Sequence, residues 1–198
     1  MVIKLRMCKL IRLTVLLALA VSPLVATAPL PRKSSELTFY EPGGKTTLLS
    51  SFKGKVVVVE FLFVGSQHCL RVAATINALN SEFGTQGFQP VAIAFGRDAS
   101  VANIYLISQK LKLTYPLGYA SNEEVDTFLA RGKSEVLNIP QVVVIDRAGM
   151  IRAQSGGKGG NPALEDESSL HAFIDRLLKE EPHHSQKPPA SPNRRAKS

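Results

Sequence analysis

The chain is 198 residues long and 44% apolar, enough for one domain with a real core and short for two. Its formal charge of +8 would suit a nucleic-acid binder, but the surplus sits at the ends. Residues 1–28 hold four basic and no acidic groups, 181–198 hold four basic groups and Glu181, and 29–180 holds 16 basic against 15 acidic. A near-neutral central region excludes nucleic-acid binding as the expected function.

Lys4, Arg6, Lys9 and Arg12 precede an apolar run from Leu13 to Ala20 that continues past Pro23 to Val25. This is the pattern of a signal peptide; a spanning helix needs about 20 apolar residues, and the run is shorter and broken by Pro23. Ala26-Thr27-Ala28 supplies small residues for cleavage. The expected organisation is a signal peptide at 1–28, one domain at 29–180 and a tail at 181–198. The tail, rich in proline, histidine and arginine, is too polar to pack. The protein is then periplasmic or secreted, and it would meet the membrane only if the first segment stayed attached.

Cys8 would leave with the signal, so Cys69 remains as the single thiol and no internal disulfide can form. A lone cysteine in an oxidising compartment is either an inert buried residue or a reactive thiol that pairs between molecules.

In chain order, a small hairpin is expected around 36–50. Lys55 to Phe63, KVVVVEFLF, has the near-continuous apolar character of a central strand buried on both faces. Gln67 to Phe83 places Leu70, Val72, Ala73, Ile76, Leu79 and Phe83 at helical spacing. Phe88 to Phe95 reads as a strand and Val101 to Leu111 as a helix. Ser121 and Glu124 form a capping box, opening a helix expected to stop at Gly132. Gln141 to Asp146 and Met150 to Gln154 flank the turn Arg147-Ala148-Gly149 as a hairpin. Ser155 to Gly160 lacks the phosphate-loop signature and reads as a flexible connector. Asn161 and Pro162 start a closing helix lined by Leu164, Leu170, Phe173, Ile174, Leu177 and Leu178. The order β-α-β-α-α-β-β-α implies an α/β fold whose mixed sheet has parallel strands and an antiparallel edge.

The stretch LLSSFKGKVVVVEFLFVGSQHCLR resembles the segment that leads into the active site of the periplasmic TlpA/ResA-type redoxins and their AhpC/TSA relatives. LNIPQVVVIDRAGMIRAQSGG resembles their cis-proline loop, strand and hairpin. The likeness covers roughly 36–157 and implies a thioredoxin-like fold: a central mixed sheet flanked by helices, with an N-terminal hairpin. It also exposes departures. The family places W-C-x-x-C at the start of the first helix; here Gly65 stands for the tryptophan, Ser66 for the first cysteine, and Cys69 keeps the second. Without the dithiol, the ordinary two-thiol reductase cycle is not available to one molecule alone.

The residues around this turn define the candidate site. Ser66 is expected as the helix N-cap, accepting from the Cys69 N–H, and Cys69 in the first turn gains some thiolate character from the helix dipole. Glu60 is the only charged residue between Val56 and Val64. An unpaired carboxylate there is costly or takes up a proton; the resemblance implies a buried acid that exchanges protons with Cys69, the alternative being a hydrogen-bonded structural glutamate. The resemblance also implies that Pro140 is cis and that Ile139 and Pro140 hold an extended peptide beside the turn. His68 precedes Cys69 as the middle histidine does in C-x-H-C sites, and is expected to face solvent at the substrate side. His68 and Cys69 are too few ligands for a metal site, and no cofactor motif is present.

Three functions follow. The leading one is an exported thiol redox protein in which Cys69 forms mixed disulfides with protein or low-molecular-weight thiols, or is reversibly oxidised. The second is a peroxidase using Ser66-x-x-Cys69 on peroxide, although Leu62 stands where that motif has proline and Pro140 where such enzymes carry arginine. The third is a binding module that keeps the groove at Pro140 and has lost redox chemistry.

Overall fold

The computed structural model describes residues 29–132, 135–157 and 159–180; the expected signal and tail lie outside the described residues. Strand β1 (Arg32–Lys33) is followed by β2 (Thr38–Tyr40) and β3 (Thr46–Leu48), which pair antiparallel with Phe39 opposite Thr47. Next come β4 (Val56–Leu62), helix α1 (Gln67–Phe83), β5 (Phe88–Ala94), α2 (Val101–Leu111), β6 (Leu117–Tyr119) and α3 (Asn122–Leu129). The chain closes with β7 (Gln141–Ile145), β8 (Met150–Gln154) and α4 (Glu167–Lys179). One sheet of eight strands results, in the order β1-β8-β7-β4-β5-β6-β2-β3. β4, β5 and β6 run parallel, and β7 runs antiparallel to β4.

All seven residues of β4 are buried, as its unbroken valine run requires of a strand covered on both faces. Its side chains alternate between two cores. Val56, Val58 and Leu62 pack with Ile76 of α1, Ile104 of α2 and Ile174 of α4. Val57, Val59 and Phe61 pack with Phe39 and with Val125, Phe128 and Leu129 of α3. Each such side chain contributes about 1.5–3 kcal/mol on burial. Three helices therefore cover one face and α3 the other.

Beyond the short edge strand β1, three features depart from the sequence reading. β6 is an extra strand, three residues long, too short to announce itself, and pairs through Ile93 opposite Gly118. Helix α3 stops at Leu129, not Gly132: Ala130 adopts a left-handed conformation with φ +53°, and the Ala130 and Arg131 N–H groups close the last turn on the Asp126 carbonyl. The closing helix is split. Asn161 and Pro162 open only a 3-10 turn, Pro162–Glu165, after which Asp166 is extended and its carboxylate caps α4 by accepting from the Ser169 N–H at 3.2 Å.

Gly118 shows how tightly the new strand is held. A Cβ there would lie 2.6 Å from the Phe39 ring and 2.9 Å from the Tyr40 carbonyl oxygen. Gly118→Ala should therefore destabilise the domain by roughly 1–3 kcal/mol, the usual magnitude for overpacking. Thermal denaturation measures this, and an unchanged melting temperature would contradict the packing described.

Candidate active site

β4 delivers the chain to the site and then releases it. After Leu62, the Ser66 N–H donates to the Phe63 carbonyl at 3.0 Å, closing a tight turn, and α1 begins at Gln67. Ser66 is the N-cap: its backbone is extended and its Oγ accepts from the Cys69 N–H at 3.3 Å. The turn leaves Phe63 42% exposed, with its ring 4.8 Å from that of Phe95. Arg71 points outward.

Cys69 faces inward and is 0% exposed, packed in the core beneath α1. Burial pushes its thiol pKa up; hydrogen bonds from the Ser66 side chain and the Phe63 backbone oppose the rise, and the Glu60 charge adds to it. The helix start stabilises a thiolate by well under the desolvation penalty, so the net direction is upward.

Glu60 occupies the middle of β4, between Ala92 on β5 and Val142 on β7. It is fully buried, and among the described residues neither carboxylate oxygen has a hydrogen-bond partner. Its pKa stands well above the ordinary value because burial penalises the charge and Glu165 adds repulsion. Tyr115 shares this environment: it is buried, donates from its hydroxyl to the Ala73 carbonyl at 3.1 Å, and has its pKa pushed up by burial and by Glu60.

The Ile139–Pro140 peptide is cis. Because Phe61 lies opposite Gln141, Pro140 comes to the end of β4 from which the turn departs. Ile139 is half-buried and packs against both cores. Gln141 fastens this segment: its amide nitrogen donates to the Asn138 carbonyl at 2.6 Å, and its Oε1 accepts from the Gly156 N–H at 3.2 Å. A Cβ on Gly156 would overlap the Gln141 amide. Ser155 Oγ also accepts from the Val142 N–H at 2.9 Å, so the expected flexible connector is pinned at its start.

His68 is about half exposed, and its Nε2 lies 3.4 Å from Glu165 Oε2. Ser66, Cys69 and Glu60 are thus grouped around the start of α1, Ile139 and Pro140 flank the turn, and His68 lies on the rim. The sequence reading missed Tyr115, Glu165 and Gln141, which no local pattern singles out. Among the described residues no three His, Cys, Asp or Glu side chains gather in a metal-binding group.

A mixed sheet with a serine-cysteine turn at the start of its first long helix and a cis-proline beside that turn defines a thioredoxin-like protein with a single site cysteine. The chain belongs to the AhpC/TSA family, which it matches over residues 31–154. Solved structures share the fold. A thiol:disulfide interchange protein of the thioredoxin family from Chlorobium tepidum is 20% identical, with a TM-score of 0.62 over 77% of this chain and 99% of its own. A protein from Bacteroides thetaiotaomicron described as a disulfide isomerase is 23% identical, with a TM-score of 0.61 over 77% and 92%. A thioredoxin from Neisseria meningitidis is 20% identical, with a TM-score of 0.61 over 79% and 99%. No curated protein matches the chain.

The raised pKa of Glu60 sets a pH dependence of stability. The unfolded carboxyl ionises near the ordinary value of 4.5, while the folded one keeps its proton to higher pH. The folded state therefore binds more protons in that window, and stability falls as pH rises from 4.5 toward the folded pKa, by about 1.4 kcal/mol per pH unit. Glu60→Gln should remove this slope. Chemical denaturation from pH 4 upward checks it; parallel profiles for the two proteins would mean Glu60 is not held protonated.

Proposed function

We propose that the chain is an exported thiol redox protein that acts through Cys69 on protein or low-molecular-weight disulfides. The observation that supports this most is Glu60. A buried carboxyl with no hydrogen bond among the described residues weakens the fold, and when ionised it raises the pKa of the buried Cys69 thiol. Such a group fits a proton-exchanging role rather than a structural one.

In this reading Cys69 loses its proton and its thiolate attacks one sulfur of a disulfide R–S–S–R′. The Cys69–S–S–R bond forms, the bond to R′ breaks, and R′–S⁻ takes up the proton. A neutral Glu60 keeps a second negative charge away from the Cys69 thiolate. Release of R needs an external thiol, because Cys69 is the only cysteine in 29–180. Ile139 and Pro140 hold the partner's extended backbone against the turn, with His68 on the rim. Because the thiol is 0% exposed, exchange requires residues 63–66 to open.

Incubation with glutathione disulfide followed by intact-mass analysis should show one adduct on Cys69. Thiol alkylation should proceed slowly at neutral pH, and Glu60→Gln should shift the alkylation profile, because the variant can neither exchange a proton with Cys69 nor take on the charge that raises the thiol pKa. Absence of an adduct, together with superimposed alkylation profiles, overturns the redox reading. It would favour the second one, a thioredoxin-fold binding module, which the complete burial of Cys69 and the hydroxyl at position 66 support. In that case Cys69→Ala would bind the same partners.

Export rests on the basic start, the short apolar run and Ala26-Thr27-Ala28. Periplasmic material should begin near residues 27–29 by intact mass. A chain retaining Met1 in the membrane fraction would replace the soluble reading by an anchored one.

A further inference from the structure

The end of the sheet opposite Ser66 carries a cavity of about 310 Å³ between the start of β4 and the end of β7. This lies at the small end of the ligand-pocket range, about 300–1,000 Å³. β4 runs from Val56, just after Lys55 and beside Val57 at the cavity, toward Leu62 at the turn, while β7 runs back from Gln141, next to Pro140, to Ile145 beside Asp146. The cavity is thus separated from Cys69 by the length of β4, roughly 20 Å for seven residues at about 3.3 Å each.

Its walls divide by polarity. Leu49, Phe52, Val57 and Ile145 form an apolar interior, and Lys33, Lys53 and Lys55 stand at its edge. All three lysines are exposed, and among the described residues none of them forms a salt bridge. Lys55 Nζ donates to Gln89 Oε1 at 3.0 Å.

The two acids in the wall are already engaged. Glu36 Oε1 accepts from the Leu37 and Ser50 N–H groups at 3.1 and 3.0 Å. Asp146 Oδ1 accepts from the Ala148 and Met150 N–H groups, and its Oδ2 pairs with Arg152 at 3.1 Å. Asp146 is balanced by Arg152, and Glu36 keeps its charge, so the three lysines outnumber it and leave the edge net positive. An apolar interior under a cationic edge complements a molecule with one hydrocarbon part and one anionic end, the two parts being recognised by different forces.

We propose that this cavity binds a small amphiphilic carboxylate, its hydrocarbon part against Leu49, Phe52, Val57 and Ile145 and its carboxylate among Lys33, Lys53 and Lys55. The site is separate from the thiol chemistry and does not depend on it.

The probe is decanoate, titrated into the full chain by calorimetry and followed by backbone amide shifts. Saturable one-to-one binding is expected, with the largest shifts at Val57, Ile145 and Gly149. Lys33→Glu with Lys53→Glu should weaken it roughly tenfold or more, the effect of losing a charge-assisted hydrogen bond. Both lysines are exposed, so the double variant should keep the wild-type melting temperature. Ser66→Ala should bind decanoate as the wild type does. Decanol should bind the wild type more weakly than decanoate does, and should bind the wild type and the double variant equally.

No saturable binding, equal affinity for decanol, or affinity unchanged by the charge reversals would overturn the proposal. So would shifts confined to Phe63 and Ile139, which would place the ligand in the partner groove. Binding to anionic vesicles with none to free decanoate would identify a membrane surface instead and overturn it as well.

Discussion

A carboxyl with no hydrogen-bond partner in the middle of the central strand is the constraint around which the domain is arranged. Leaving one buried polar group unpaired costs roughly 2–7 kcal/mol depending on the reference state, against a total stability of about 5–15 kcal/mol for an ordinary domain. β4 tolerates Glu60 because its other six residues are buried and apolar and because it pairs along its length with β5 on one side and β7 on the other. A valine in its place would add to stability rather than subtract from it. The raised pKa of that acid follows from the environment the valines create.

The turn after β4 solves a different problem with the same economy of parts. A helix start leaves N–H groups without partners, and Ser66 satisfies the one on Cys69. That bond fixes Cys69 on the inner side of the first turn, where contact with the core raises the thiol pKa. Position and reactivity thus oppose each other. The helix start favours the thiolate by about 0.3–1 kcal/mol, whereas desolvation can move a buried group by several pKa units, and burial wins. A cysteine in the serine's place would stand at a half-buried corner; the one present stands behind it. The arrangement is therefore a buried thiol beside a buried acid, both with raised pKa values.

Much of this arrangement was legible before the structure. The unbroken valine run marked β4 as central, the i, i+3, i+4 spacing after Gln67 marked α1, and Ser66 at their junction read as the cap, because each signal is local and has no strong competitor. Local signals failed where two lay close together or where the structure is set by neighbours. Asn161-Pro162 and Asp166 are both helix starts within a few residues, and the chain uses both in turn. Gly132 looked like the end of α3, but the last turn closed earlier on Ala130 at φ +53°, a conformation glycine adopts more readily. β6 has a glycine at its centre and is held by β5 and β2. Tyr115 and Glu165 reach the Glu60 environment from distant parts of the chain, and nothing in their own segments marks them.

The opposing directions of β4 and β7 give the sheet two chemically distinct ends. At one, the strand ends leave Cys69, Ser66 and cis-Pro140 around a turn. At the other, Val57 and Ile145 lead into an apolar cavity edged by lysines. The interior between them is packed: Val58 pairs with Val144 and Val59 with Val143, all fully buried. Close-packed interiors transmit strain rather than absorb it, so a ligand that spread β4 from β7 at the lysine end would act on the same pair of strands that present Glu60 to Cys69 and Pro140 to the turn. The two ends share a framework while differing in chemistry, one holding a buried thiol beside a cis-proline and the other an apolar cavity edged by lysines.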